Sequence, residues 1–146
     1  MKMKKVYATM LAFVILIFSA KVQAAGVKID YGDSKIFTKH EIDNCVSVIE
    51  KNLNEWGCTL LGVKYVGDEI SNSAENIKYM NELADGKNFE KKFTKCMFFK
   101  TDFMSPKDPH DGKITAWNYD TKYSDYGWYF GFYEVDGEWK LMSMGY

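Results

Sequence analysis

Arginine is absent from this chain: all 19 of its basic residues are lysine. A nucleic-acid binder wants a basic face and the bidentate guanidinium forks that grip phosphates and base edges, so the composition argues against a nucleic-acid partner. Proline is almost as scarce. Pro106 and Pro109 are the only two, and both fall in the segment 105–113. With only His40 and His110, and with Cys45, Cys58 and Cys96 far apart, no zinc-ligand spacing exists. Also missing are a G-x-S-x-G elbow, a G-x-G-x-x-G turn, a Walker-type lysine loop and a calcium-loop pattern. Asn72-Ser73-Ala74 is not a glycosylation sequon, because its third residue is neither Ser nor Thr. No metal and no cofactor is implied.

What is present is aromatic and acidic. Phe, Trp and Tyr make up 16% of the 146 residues and hydrophobic residues 47%, which excludes a disordered chain. The formal charge of −1 hides an asymmetry, since residues 1–24 carry four lysines and no acid. Those residues have the layout of a secretory signal peptide: a basic start, an apolar stretch over 6–20, and small residues Val22 and Ala24 before a cut. The apolar stretch is shorter than the ~20 residues of a membrane-spanning helix, and Lys21 closes it, so no stable membrane anchor is expected. The expectation is an exported protein, secreted or periplasmic, whose part after Ala24 has 15 Lys against 20 Asp and Glu.

Residues 25–37 read as an extended lead-in and residues 38–146 as a single domain. Thr38-Lys39-His40-Glu41 is a capping box, and behind it Ile42, Cys45, Val46, Ile49, Leu53 and Trp56 recur at helical spacing until Gly57. A strand is expected over 58–66, and a second helix capped by Asn72 or Ser73 runs through Ala84. A long alternating strand follows over 91–103. Residues 114–125 are ambiguous, with Trp117, Tyr119 and Tyr123 suggesting packing. Strands over 126–135 and 138–146 close the chain around Asp136-Gly137, a dipeptide suited to a type I′ hairpin turn. The order is α-β-α-β-(β)-β-β: an α+β fold with a long N-terminal helix packed on a curved antiparallel sheet.

A two-residue turn would put Phe132 opposite Leu141 and Tyr129 opposite Met144, leaving both hairpin faces apolar. Either the second face is covered by the lead-in, by the 117–123 stretch or by the second helix, or Tyr129, Tyr133, Met142, Met144 and Tyr146 form a contact surface or line a pocket. In an oxidising compartment the three cysteines allow three pairings, or none if all stay reduced in the core. Separation along a helix disfavours Cys45–Cys58; Cys45–Cys96 would tie helix to sheet, and Cys58–Cys96, which would join two strands, is the favoured bridge.

The closing stretch from Tyr126-Gly127-Trp128 through Asp136-Gly137-Glu138-Trp139-Lys140-Leu141 resembles the aromatic strand, Asp-Gly turn and Trp-Lys strand that close many domains of the nuclear-transport-factor-2-like (cystatin-like) superfamily. The Gly57-Cys58-Thr59-Leu60 strand start and the terminal Met144-Gly145-Tyr146 are similar to a group of small exported bacterial proteins with no established activity. The resemblance implies a long helix resting in a strongly bent sheet. It implies no reaction, because that superfamily holds enzymes and non-enzymes alike.

The functional expectation is therefore a non-catalytic exported binding domain. Its partner would be an unknown protein, a small-molecule ligand or a second copy in a homodimer, held on the aromatic hairpin face. The alternative is a small-molecule enzyme with a pocket between helix and sheet, using His110 with Asp102 or Asp111 as an acid–base pair. Asp102, Asp108, Asp111, Asp120 and Asp125 otherwise read as a solvated acidic loop.

Overall fold

In a computed structural model of the chain, residues 26–107 and 117–146 are described. The expected signal segment 1–24 and the residues Asp108, His110 and Asp111 lie outside them. The elements follow the order β1 (Lys28–Asp30), α1 (Lys39–Glu55), β2 (Thr59–Tyr65), α2 (Asp68–Ser71), α3 (Ala74–Asp85), β3 (Cys96–Met104), β4 (Lys122–Tyr133) and β5 (Glu138–Gly145). Two elements were not expected: β1 inside the lead-in, and the single turn α2.

α1 begins where the capping box places it. Thr38 Oγ1 accepts the Glu41 amide at 3.2 Å, and Glu41 Oε2 accepts the Thr38 amide at 2.8 Å. It ends in a Schellman turn, with the Gly57 amide on Asn54 O at 3.0 Å and the Cys58 amide on Leu53 O at 2.8 Å. Gly57 has φ +74°, which an L side chain would resist. Between these ends Ile42, Cys45, Val46, Ile49 and Leu53 are buried. Each large member of that stripe contributes about 1.5–3 kcal/mol of transfer free energy.

The sheet has the order β1-β2-β3-β4-β5, with β1 parallel to β2 and every other pair antiparallel. Register shifts interrupt all three antiparallel ladders, at Leu60/Gly62, Thr101/Phe103 and Tyr129/Phe130. Such bulges bend and twist the strands that carry them.

Alternation along the strands divides the side chains between two cores. On the α1 face Val63, Tyr65, Met97, Phe99, Phe103, Trp128 and Phe130 meet α1. Trp128 is fully buried there, and its indole N–H donates to Thr101 Oγ1 at 2.9 Å. On the other face Cys96, Phe98, Tyr133 and Met142 pack against Met80 and Ala84 of α3 and against Phe93 from the loop before β3. Both faces of the sheet are thus covered in part, one by α1 and the other by α3, the second helix expected from the sequence.

Two expectations are corrected by this geometry. The final hairpin turns through four residues, Glu134 to Gly137. The Gly137 amide reaches Tyr133 O at 2.9 Å, and Tyr133 pairs with Glu138 and Phe132 with Trp139. The turn carries only one residue of the pair at positive φ, Gly137 at +72°, so a type I′ turn does not form. The expected Cys58–Cys96 bridge is also absent. Cys58 and Cys45 belong to the α1-side core and Cys96 to the α3-side core, so the sheet separates Cys58 from Cys96, and all three are buried free thiols. Burial pushes the Cys96 thiol up to about 12 and raises Cys45 and Cys58 as well, which removes the thiolate needed for nucleophilic attack.

Candidate ligand groove

The five residues expected to form one contact surface separate. Tyr133 and Met142 are buried beneath α3, where Tyr133 packs edge-on against Phe89 at 4.9 Å. A bulge between Tyr129 and Phe130 shifts the β4–β5 register by one residue, which exchanges faces: Ser143 sits opposite Tyr129, and Met144 sits opposite Trp128. Met144 therefore belongs to the α1 side of the sheet. Tyr129 and Tyr146 both line a groove of about 470 Å³ on the α2–α3 side, Tyr146 from its edge, since its ring packs edge-on against Tyr126 of the α1-side core at 5.3 Å.

The groove exists because α3 covers only one end of that sheet face. Phe98 and Tyr129 form its floor beside α3, with their rings edge to face at 4.6 Å. Further along, Gly127 and Gly145 stand directly opposite one another on β4 and β5; the Tyr129 side chain lies over Gly127, and nothing stands over Gly145. Val66, Ile70 and Asn76 make the wall at α2 and the start of α3, and Tyr146 stands as a lip with 80% of its surface exposed. Ile70, in the middle of α2, keeps 57% exposure, so an apolar side chain faces water at the rim. A mouth with exposed apolar walls and a floor of aromatic ring and bare Gly145 backbone suits a ligand that lies flat on the sheet.

The Tyr129 ring leans along its own strand over Gly127. A Cβ on Gly127 would stand 2.5 Å from the Tyr129 hydroxyl and 2.9 Å from Gly145 O. The same device recurs four residues on, where a Cβ on Gly131 would stand 2.6 Å from the Phe93 ring. At Gly131 the aromatic seals the core under α3. At Gly127 it faces the open groove, and the Tyr129 hydroxyl makes no hydrogen bond with the described residues.

Beyond the glycines the same face turns charged. A second compartment of about 250 Å³ is lined by Lys28, Asp30, Gly62, Val63, Lys64, Lys100, Asp102 and Asp125, and it shares Lys100 and Asp125 with the groove. Asp102 is engaged: Lys122 Nζ lies 3.2 Å from its Oδ2, and the Asp125 amide donates to Oδ1 at 3.3 Å. Burial alone would raise its pKa, but Lys122, the Asp125 amide and the Ser124 hydroxyl outweigh that and hold it below the ordinary carboxylate value. A carboxylate held ionised in this way makes a poor general acid. His40 sits in the first turn of α1, 3.5 Å from the Asn44 amide nitrogen, away from the groove. The sequence reading missed Gly127, Gly145 and Ile70, since glycine and a lone apolar residue carry no chemical signal until the register is known.

The space between α1 and the sheet is filled by Trp128, Phe130, Phe99 and Phe103, each 1% exposed or less. Among the described residues no group of His, Cys, Asp or Glu is placed to hold a metal ion, and no helix is long and apolar enough to cross a membrane. The chain matches no family model, no curated protein and no solved structure.

Proposed function

We propose that this is an exported, non-catalytic binding domain that takes a small apolar or aromatic ligand in the groove between Tyr129, Tyr146 and Ile70. The observation that carries the reading is the groove floor. Gly127 makes room for the Tyr129 ring, whose hydroxyl makes no hydrogen bond among the described residues, and Gly145 leaves the sheet surface beside it bare, at the end of the face that α3 leaves open. Of the residues expected to bind, Tyr129 and Tyr146 keep that role. Tyr133 and Met142 act from beneath by fixing α3, and Met144 lies outside the site.

Export belongs to the same proposal and rests on the layout of residues 1–24. Membership of the nuclear-transport-factor-2-like superfamily is its finer architectural part. In its favour are the 17-residue helix α1 on one sheet face and the three bulged ladders that bend the strands.

The test is native mass spectrometry of the protein recovered from its own exported fraction, beside an Ile70→Lys variant. Ile70 is exposed, so the change leaves the fold intact. An adduct of small-molecule mass on the wild type that is lost in the variant is the expected result. A protein bare in both forms, or doubled in mass in both, would overturn the ligand reading, the second outcome in favour of a homodimer.

A further inference from the structure

Lys64 and Lys100 are direct partners across the β2–β3 ladder, and both side chains stand on the groove face. Like charges directly opposite one another destabilise a sheet. No ion pair among the described residues engages either ammonium group, although Asp30 follows Lys64 in the same cross-strand row. That row runs through every strand: Asp30, Lys64, Lys100, Gly127, Gly145. At a strand spacing of ~4.8 Å it is roughly 19 Å long, charged at one end and glycine at the other. The two compartments meet at Lys100.

We propose that the facing ammonium groups of Lys64 and Lys100 hold the carboxylate of an amphiphilic ligand whose apolar or aromatic body lies along the Tyr129 ring, which covers Gly127, toward the bare backbone of Gly145. The inference rests on the groove reading above and names the ligand class. An anion placed between the two lysines relieves their repulsion, which gives the unfavourable pair a use. The head carries one negative charge rather than two. Lys122 pairs with Asp102, so the compartment sets Lys28, Lys64 and Lys100 against Asp30 and Asp125, a formal balance of one positive charge that a singly charged head matches. Lysine supplies point charges and no planar fork, so the site reads charge and distance to the apolar body, not the shape of the head.

Isothermal titration calorimetry of the full chain with 4-phenylbutyrate, its neutral amide and the matching phosphate monoester tests this. The acid is expected to bind about fivefold or more tightly than the amide, and also more tightly than the phosphate ester. That preference should shrink as salt rises and vanish in Lys64→Gln/Lys100→Gln, which alters only exposed side chains. Equal binding of acid and amide overturns the head-group inference and leaves the groove reading standing. A preference that survives in the double variant, or a phosphate ester that binds tightest, also overturns it. No heat from any probe up to about 10 mM overturns the groove reading, and the inference with it.

Discussion

The hydroxyl of Tyr129 lies 2.5 Å from the position that a Cβ on Gly127 would take, so the tyrosine occupies the space its neighbour two residues back leaves empty. This pairing shapes the groove, because a side chain at 127 would lift the ring and fill the floor together. Gly127→Ala is expected to lose ligand binding and to cost about 1–3 kcal/mol, since Gly145 O, a backbone atom, blocks the Cβ from the other side at 2.9 Å. Urea unfolding and the binding titration read the two effects separately. A variant with native stability and unchanged binding would show that the floor is not used.

Gly131 makes the parallel case inside the core. Gly131→Ala drives a methyl into the Phe93 ring at 2.6–2.8 Å and should cost about 1–3 kcal/mol. Phe93→Leu in the same chain should recover part of the loss. Denaturation of the two single variants and the double variant gives the coupling, and strictly additive losses would contradict the contact.

Met142 and Met144 stand two residues apart, and the bulge gives them opposite fates. Met142→Lys buries a charge under α3 and should cost several kcal/mol or prevent folding, whereas Met144→Lys should stay within about 0.5 kcal/mol of the wild type. Thermal melts of the two variants decide it. Equal tolerance would place both methionines on one exposed face and refute the register.

The sequence made some of this legible and concealed the rest for definable reasons. Helix α1 could be read to its ends because the Thr38–Glu41 box and Gly57 are local signals that act within a few residues. The second helix was visible in the same way, with Ser73 accepting the Asn76 amide at 3.2 Å. The alternation of 91–103 divided Met97, Phe99 and Phe103 from Cys96 and Phe98 as found, but it put Phe93 with the first set; the strand starts only at Cys96, and Phe93, in the loop before it, packs with Cys96 and Phe98. β1 could not be read. It is three residues long and exists through pairing with β2 more than thirty residues away. The hairpin register misled because Asp136-Gly137 is compatible with more than one turn. Packing of Trp139 on Phe37 and Phe132, both at 5.2 Å, accompanies the four-residue loop. The one-residue bulge then moved Met144 away from Tyr129, which no local pattern foretells.

The lead-in is tied down at Asp68, whose carboxylate accepts the Ser34 hydroxyl at 2.6 Å, the Lys35 amide at 2.7 Å and the Tyr65 hydroxyl at 3.0 Å. Burial raises its pKa, but those donors outweigh it and leave it below the ordinary value. A depressed carboxylate contributes stability that is full above the unfolded pKa of about 3.9 and is lost as pH falls through the folded one. Asp68→Asn should therefore be about 1–2 kcal/mol less stable than the wild type at neutral pH, with the gap narrowing below about pH 4. Urea denaturation across that range measures the gap. A gap that stays constant down to pH 2 would mean the charge plays no part.

The three thiols give a chemical check on the two-core arrangement. Cys45, Cys58 and Cys96 should resist a thiol reagent in the folded protein, and all three should react at once in denaturant without prior reduction. A mass about 2 Da low with Cys45 as the one reactive thiol would establish a Cys58–Cys96 bridge and contradict their separation by the sheet.

Whether ligand binds between Tyr129 and Gly145 is decided by NMR mapping. Titrating 4-phenylbutyrate into the isotope-labelled protein should move the backbone amides of Gly127, Tyr129, Gly145 and Tyr146 together with Phe98 and Lys100. The amides of α1, and those of Phe132 and Trp139 on the opposite face, should stay in place. Shifts that gather on the α1 side, or no shifts at saturating ligand, would contradict the account.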